Sequence, residues 1–436
     1  MSARRENARG VASASSAAVP ASATAAGEAL VAEAVTALHA NGAESDRTAA
    51  RAQQLASTIG RPVGVELGWS TTTITVGEPA ARSGLRTHQP PSALGMNRVL
   101  AVDTAIDDFG AGRTDLAAAR AAVRRAAGLP AAPAWLFAAA CIVGACSLAV
   151  ILGVSRWEPV AVIAVSAGLG AFLRRLLGNV GASNFWQVGA AALLAGVLGS
   201  VAVQAGFSSD LRLAVVCPCM VLVPGPHLLN GMFDIAALRI PLGLSRLTFA
   251  AVTLLSIGAG LIAGLAIGGA DLVAEPASRD VPVVVDAIAA GVVAVCYGIF
   301  YSAPVRILSW PLVAGAVVHA LHWLLIAWHW ESYLAAGVVC LVVGAGLIPL
   351  AQRARVPFAA IGFASVVSLM PGVAVFRALD GLAQLPSLSG ASAQMLLLDT
   401  IDNAVTAFLT LFCMAVGFVL PASVYRRWPV GGRAGR

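Results

Sequence analysis

The sequence predicts a mainly α-helical polytopic membrane protein, with about ten transmembrane helices arranged as two inverted five-helix repeats with broken helices, preceded by a small α/β soluble domain. Of the 436 residues, 58% are hydrophobic and only 11% are charged, whereas soluble domains carry about 25% charged residues. Charged residues are denser in roughly the first 130 positions, and a Pro-Gly pair recurs in two apolar segments. We therefore expect the lipid bilayer to surround most of the chain.

The first segment, residues 1–26, is rich in Ala and Ser and contains three arginines. It lacks the strongly apolar run of a secretory signal. We therefore expect a disordered tail that precedes the first domain.

Residues 27–130 show the pattern of a soluble cytoplasmic α/β domain. Apolar residues first recur at helical spacing, and the period then changes to the alternation of strands. Thr114 is expected to cap the last helix of this domain. The predicted elements are a helix around 30–38, a helix at 44–59, strands at 63–67 and 69–76, one or two further strands between 82 and 102, and a helix from 114 to 125.

Ten later stretches are long enough to cross a bilayer, which takes about 20 residues each. They fall into a first module at 134–270 and a second at 281–420, followed by a cytoplasmic tail at 421–436. The stretches are 134–154, 159–177, 185–207, 211–236, 247–270, 281–301, 304–328, 333–350, 356–379 and 395–420.

The loop arginines predict that both termini are cytoplasmic, because positive residues accumulate on the inner side of membrane proteins. With this orientation the external loops hold four arginines, at 156, 212, 279 and 377. The internal loops and the C-terminal tail hold those at 174, 175, 239, 246, 306, 353, 355, 426, 427, 433 and 436.

The composition excludes several functions. The chain contains no lysine, which excludes a P-loop nucleotide site and Schiff-base chemistry. Its seven cysteines lie in apolar segments, where thiols pack as small hydrophobes, and the pair around Pro218 lacks the spacing of a zinc site. The net charge of +6 lies in loops and tails, so we expect no nucleic-acid partner and no cofactor.

Two Pro-Gly pairs lie 147 residues apart in equivalent spans, and each is followed by polar groups. They are Pro224-Gly225, followed by Asn230 and Asp234, and Pro371-Gly372, followed by Arg377 and Asp380. The same offset carries position 134 onto 281, where the sixth stretch begins. Because five spans is an odd number, two such repeats take opposite orientations in the bilayer, as in many secondary transporters.

A proline removes a backbone donor and clashes with the preceding turn, so each pair should unwind its helix locally. The freed backbone groups then need partners from the protein, water or a ligand. A plain proline kink is the alternative, but a matched pair favours a small-molecule site. The predicted substrate contacts are Pro224, Gly225, Asn230, Asp234, Pro371, Gly372 and Arg377.

Four further polar residues are candidates for ion coupling. Asp399 and Asp402 lie three residues apart near the start of the last span, where they can pair with Arg377, bind an amine or take protons. His319 and His322, also three apart, suit a proton relay. The alternatives are an interfacial position for the two aspartates and packed histidines near tryptophans. No acidic ligand lies in metal-binding register with these histidines, so no metal site is predicted.

The segment 222–247 resembles the broken-helix signature of the threonine/serine exporter family. The matching residues are Val223-Pro224-Gly225, Asn230, Asp234, Gly243 and Ser245-Arg246-Leu247. The N-terminal residues Asn41-Gly42-Ala43-Glu44, Arg47, Gly60 and Ser70-Thr71-Thr72-Thr73-Ile74-Thr75, and the later Leu369-Met370-Pro371-Gly372, look similar to the same family. Pro226 and His227 depart from the pattern.

The resemblance implies export of threonine and serine from the cytoplasm by a multi-pass protein of the inner or plasma membrane, driven by the proton motive force, with no enzyme activity. Its expected partners are the amino acid, protons, the lipid bilayer and a second copy of the chain. Export of dicarboxylates such as succinate is an alternative. The soluble domain has two further alternatives: a hydrolase using Ser70 with His39 or His88, or a regulatory gate.

Overall fold

The computed structural model describes most of the chain, with gaps at both termini and in several connecting segments. The described ranges are 21–77, 83–91, 94–154, 156–205, 211–269, 281–354, 356 and 358–427.

The N-terminal module, residues 21–127, contains four helices and a three-stranded antiparallel sheet of order β1-β2-β3, which α1 and α2 contact. Its core contains Leu30, Leu38, Leu55, Ile74 and Ile106, all of which are fully buried. The elements are α1 (Ala21–Ala40), α2 (Ser45–Ile59), β1 (Val63–Leu67), β2 (Thr72–Val76), β3 (Ser83–Thr87), α3 (Met96–Gly110) and α4 (Leu116–Ala127).

Three details of this module differ from the sequence-based expectations. α1 begins at Ala21, so the helix includes the last six residues of the predicted tail, while residues 1–20 lie outside the described ranges. Residues from Met96 onward form a helix, because their apolar side chains recur at helical spacing and face the core. Asp115 rather than Thr114 caps α4, its carboxylate accepting a hydrogen bond from the Ala118 amide at 2.7 Å.

The rest of the described chain is helical. Its α-helices are α5 (Ala134–Ile151), α6 (Trp157–Asn179), α7 (Asn184–Gln204), α8 (Leu211–Met220), α9 (Gly225–Ala236), α10 (Ile240–Ile267), α11 (Val283–Phe300), α12 (Ser309–Ala327), α13 (Ser332–Ala354), α14 (Ala364–Val366), α15 (Gly372–Gln384) and α16 (Gly390–Arg427). The last of these extends into the predicted C-terminal tail.

Within the described ranges, eight helices are long and apolar enough to cross a membrane, or nine if one bent pair is counted as a span. The bent pair, Ile361–Leu369 with Gly372–Ser387, bends by 55° and corresponds to the ninth predicted stretch. The fourth predicted stretch is divided into α8 and α9, and neither is long enough to span alone. The division follows from Pro224 and Pro226, which cannot donate backbone hydrogen bonds.

The two Pro-Gly breaks have the same backbone geometry. Pro224 has φ −83° and ψ 56°, and Pro371 has φ −78° and ψ 48°. The Gly225 amide donates to the Val223 carbonyl at 2.9 Å, and the Gly372 amide donates to the Met370 carbonyl at 2.8 Å. Each break is therefore an inverse γ-turn, from which a new helix starts.

The two halves and the N-terminal module pack against one another. An added Cβ at Gly225 would lie 1.6 Å from Phe363, and one at Gly372 would lie 3.1 Å from Met220, so each break contacts the other half of the chain. At the end of α11, the Tyr301 carbonyl accepts a hydrogen bond from the Met96 amide at the start of α3. The module is thus joined to the helical bundle through backbone contacts.

Candidate functional site

A cavity of about 540 Å³ lies between α2 of the N-terminal module and helices α9, α13 and α16. Its wall contains equal numbers of acidic and basic residues, together with amide side chains and an apolar side. The charged residues are Glu44, Asp46, Asp234, Arg47, Arg51 and Arg239. Such a balance suits a small ligand that carries both a positive and a negative group.

Asp234 of α9 forms a buried ion pair with Arg246 of α10. Arg246 Nε lies 3.0 Å from Asp234 Oδ2, and the two side chains are 0% and 2% exposed. The helices approach closely at Gly231 and Gly243, where an added Cβ on Gly243 would meet the Gly231 carbonyl oxygen at 2.7 Å. These two glycines therefore permit the contact between the carboxylate and the guanidinium.

Several buried polar atoms around this pair have no hydrogen-bond partner among the described residues. They are Arg246 Nη1 and Nη2, Asn230 Oδ1, His227 Nδ1 and His39 Nδ1. Because buried polar groups are normally satisfied, this cluster can take up further polar partners.

The N-terminal module covers the polar face of α9. The Asn230 amide donates to the Gly42 carbonyl at 3.1 Å, between α1 and α2. Arg239 donates to Asp46 at 2.5 Å and lies 3.5 Å from Asp234. The module therefore contacts residues of the predicted substrate site directly.

Aromatic side chains extend this contact. The Trp69 ring of the β1–β2 turn lies 6.1 Å from the His227 ring and 5.2 Å from the Phe249 ring, centroid to centroid. His227 packs edge-on against Phe249 at 4.7 Å. Position 227, where the sequence departs from the family pattern, thus holds a buried contact between α9, α10 and the module.

His39 of α1 is a buried histidine of the N-terminal module, close enough to Arg246 to be affected by its charge. Its Nε2 lies 3.0 Å from the Gly68 carbonyl oxygen, and since a carbonyl only accepts, Nε2 carries the hydrogen. The pKa of His39 is lowered to about 4, first by burial and second by the positive charge of Arg246, while the bond to Gly68 opposes both effects. His39 is therefore neutral at physiological pH.

A second buried polar pair joins α11 and α12. His319 Nδ1 lies 2.9 Å from Asp286 Oδ2, and both side chains are buried. The His322 ring centroid lies 6.4 Å from that of His319, and His322 is also buried. The structure thus gives the predicted histidine pair an acidic partner, which lies 33 residues earlier in the chain.

The remaining predicted residues lie on other helices. Arg377 is half-buried on α15, whereas on α16 Asp399 is half-buried and Asp402 is exposed. Within the described part of the chain the charged partners of Asp234 are Arg239 and Arg246, so Arg377 does not pair with it. At the Pro-Gly breaks, Gly225 faces Phe363 and Gly372 faces Met220, whereas Pro224 lines a second cavity of about 670 Å³.

The hydrolase alternative gains no support from the hydrogen bonds of the described residues. A histidine that activates a serine must contact the serine hydroxyl. His39 Nε2 bonds to the Gly68 carbonyl and His88 Nδ1 lies 3.3 Å from the Thr71 hydroxyl, so neither of these contacts involves Ser70.

Sequence reasoning missed Arg246 and Arg239 as site residues, because both were assigned to internal loops. Arg246 is instead fully buried within α10. One signal was present: the residue belongs to the segment that carries the family resemblance. Asp46 gave no such signal, since only the folded module brings it to Arg239.

Comparisons with known proteins assign the chain to a family. The model of a threonine/serine exporter family, ThrE, matches residues 29–268, and the model described as Threonine/Serine exporter, ThrE, matches residues 286–424. Neither the curated proteins nor the solved structures include a match to the chain. The chain is therefore a multi-pass membrane protein of the threonine/serine exporter family ThrE, with both parts of the family joined in one polypeptide.

Proposed function

We propose that the protein is a secondary exporter that moves threonine and serine out of the cytoplasm, with both termini cytoplasmic and ten spans in two inverted repeats. The charge-balanced cavity beside Asp234 and Asn230 is the observation that carries the proposal. A zwitterionic amino acid needs an acidic partner for its ammonium group and a basic partner for its carboxylate. This cavity offers both within one wall.

In this mechanism Asp234 and the free Oδ1 of Asn230 receive the ammonium group, and Arg239 receives the carboxylate. Charge-assisted hydrogen bonds of this kind are the stronger ones in proteins. The substrate hydroxyl then meets the amide side chains of Gln54 or Gln352, which line the same cavity. A dicarboxylate such as succinate is attracted by the three arginines of the cavity but repelled by its three carboxylates.

In this proposal the second membrane repeat supplies the substrate contacts at the outer end of the transport path. Arg377 follows Pro371 by the same number of residues by which Asn230 follows Pro224. In an inverted repeat these two positions lie toward opposite faces of the membrane. We assign Arg377 to carboxylate binding when the site opens outward, with both Pro-Gly breaks as the points of bending.

Proton coupling is assigned to the Asp286–His319 pair with His322, and Asp399 and Asp402 remain candidates for the outer end of the proton path. Ionisable groups buried among apolar helices are costly and mark functional positions. Asp286 and His319 are such groups, since their side chains are 2.9 Å apart and both are buried.

The test is efflux of labelled threonine, serine and succinate from loaded cells that contain or lack the protein. We expect efflux of the two amino acids that slows when the proton gradient is collapsed. Asn230→Ala should lower this efflux, whereas Asn97→Ala, which changes a half-buried asparagine of α3 in the N-terminal module, should not. Efflux of succinate alone, or of none of the three, would refute the proposal.

A gating role for the N-terminal module is favoured by the Asp46–Arg239 ion pair and by the Asn230–Gly42 hydrogen bond. Both hold the module over the polar face of α9, so a substrate reaches Asp234 only after this contact loosens. Asp46→Asn should change the efflux rate with little effect on the unfolding temperature. Asp108→Asn, which breaks an exposed ion pair with Arg113 in the same module, is the matched control.

A further inference from the structure

A second cavity, of about 670 Å³, lies at the end of the helical bundle that carries the N-terminal module. Four helices terminate there: α5 and α7 begin at the cavity, and α6 and α11 end at it. The lining residues Phe137, Asn179, Asn184 and Tyr301 belong to these four termini. The cavity is therefore located where membrane helices meet the membrane surface.

Two adjacent arginines of α6 form its charged wall. The Arg175 guanidinium carbon lies 4.4 Å from the centre of the Phe137 ring, and that of Arg174 lies 5.1 Å from the Phe300 ring. Arg175 donates to the Ala132 carbonyl at 2.9 Å. Arg174 Nε and Nη1 have no acceptor among the described residues. Both guanidinium planes are thus held by aromatic rings, and that of Arg174 retains hydrogen-bonding capacity.

The cavity attracts anions. No aspartate or glutamate occurs among its described lining residues, in contrast to the charge-balanced cavity beside Asp234. Amide side chains of Asn179, Asn184 and Gln187 also line it, and α7 starts at Asn184. The start of a helix favours negative charge. The combination of guanidinium and amide donors matches a group with several oxygen acceptors.

We propose that this cavity binds the phosphate of an anionic phospholipid headgroup. Arginine guanidinium groups match phosphate oxygens in pairs, and basic pockets between membrane helices are known sites for acidic lipids. The apolar wall formed by Phe137, Phe300 and Leu222 accommodates the glycerol and the first methylenes.

Two exposed tryptophans place the cavity at headgroup level. Trp135 and Trp186 lie in the first turns of α5 and α7, and both are exposed. Exposed tryptophans at helix ends are typical of the membrane interface. The proposal does not depend on which solute the protein exports.

The experiment titrates the purified full-length protein in detergent with phosphatidylglycerol and with phosphatidylcholine of equal chain length, while the unfolding temperature is followed. We expect phosphatidylglycerol to raise the unfolding temperature more than phosphatidylcholine does. The double variant Arg174→Gln/Arg175→Gln should weaken the apparent affinity for phosphatidylglycerol by about tenfold or more, since each arginine near the surface contributes about 1 kcal/mol.

Arg306→Gln is the matched control, because Arg306 is an exposed arginine outside this cavity, and it should leave the affinity unchanged. If the double variant does not fold, Arg175→Gln alone is tested, with at least a threefold loss expected. Equal effects of the two lipids, or an undiminished response in the arginine variants, would overturn the proposal. So would equal stabilisation by inorganic phosphate or succinate alone, because the cavity would then bind a free anion rather than a lipid.

Discussion

The buried pair of Asp234 and Arg246 dominates the electrostatics of the site at the scale of single residues. Arg246 is fully buried, and its two terminal nitrogens lack acceptors among the described residues. A buried charge is costly unless it is paired and hydrogen-bonded. Asp234 thus compensates only part of this cost, which leaves the pair responsive to a ligand that supplies further oxygen atoms.

Replacing Asp234 by Asn should destabilise the protein by about 3–5 kcal/mol, because it leaves the Arg246 charge buried without a counter-charge. The double variant Asp234→Asn/Arg246→Gln should recover much of this loss, since both charges are then removed. Thermal or denaturant unfolding of the purified protein measures both changes. Equal stability of Asp234→Asn and the wild type would show that the ion pair does not stabilise the folded protein.

The stability of the protein should fall as the pH is lowered from 6.5 to 4, because of His39. In the unfolded chain His39 takes up its proton near pH 6.5, whereas in the folded protein burial and Arg246 lower its pKa to about 4. The unfolded state therefore binds more protons in this interval, and acid favours it. The contribution of this residue is roughly 3 kcal/mol at pH 4.

Unfolding temperatures measured between pH 7 and 4 test this expectation. His39→Gln keeps an N–H donor for the Gly68 carbonyl and should flatten the dependence on pH. His88→Gln, on the exposed edge of the module, is the control. A pH profile identical in His39→Gln and the wild type would contradict the assignment.

At the scale of secondary-structure elements, the two Pro-Gly breaks share one backbone geometry but have different surroundings. Both are inverse γ-turns that start a new helix. Gly225 packs against the ring of Phe363, which is fully buried, whereas Gly372 packs against the flexible side chain of Met220. The first break is therefore held more rigidly than the second.

Gly225→Ala should destabilise the protein strongly, and Gly372→Ala should be nearly neutral. A Cβ at position 225 would overlap the Phe363 ring at 1.6 Å, while one at 372 would lie 3.1 Å from Met220 Cγ. Overpacking of a filled core typically costs about 1–3 kcal/mol or more. Unfolding temperature and expression level are the measurements. The double variant Gly225→Ala/Phe363→Leu should recover part of the lost stability. If it does not, the destabilisation does not come from the contact with Phe363.

The contact between His319 of α12 and Asp286 of α11 predicts how efflux depends on the proton gradient. His319→Gln removes the imidazole that contacts Asp286, so threonine efflux should lose its dependence on the proton gradient. His329→Gln, at an exposed position just beyond the end of α12, should keep it. The measurement is efflux at several external pH values. Retained gradient dependence in His319→Gln would exclude this pair from coupling.

At the scale of the whole molecule, the two halves form one interlocked bundle. Phe363 of the second half fills the space beside Gly225 of the first, and Met220 of the first half contacts Gly372 of the second. Tyr297 of α11 donates to the Met220 carbonyl at 2.6 Å. Each half therefore supplies part of the core around the break of the other.

A chain divided between residues 275 and 276 should still assemble when both parts are produced together. The cut lies between the two regions matched by the family models, 29–268 and 286–424. We expect the parts to copurify and to restore threonine efflux, because the contacts of Phe363 with Gly225 and of Met220 with Gly372 and Tyr297 lie on the two separate parts. Neither part alone should give efflux. Failure to copurify would show that the covalent connection is needed for packing.

The sequence alone was sufficient for the membrane class, the N-terminal α/β module, the family and the position of both helix breaks. Apolar runs, changes of period and Pro-Gly pairs are local properties, and each acts on the backbone within a few residues. The proximity of Asn230 and Asp234 follows in the same way, because they lie four residues apart on the helix that the break starts. Of the one or two further strands expected between 82 and 102, the structure has one, β3 (Ser83–Thr87), and the end of that range belongs to helix α3, whose residues Met96–Gly110 pack with helical spacing against the module's core.

Contacts between distant segments needed the tertiary structure. Arg246 joins Asp234, Asp46 joins Arg239, Gly42 binds Asn230 and Asp286 meets His319, and none of these pairings follows from spacing along the chain. The close packing of α9 on α10 at Gly231 and Gly243 was likewise visible only in the folded chain. The physical reason is that the burial of a charged or polar group depends on what covers it, and here the covering residues come from segments as many as 193 positions away.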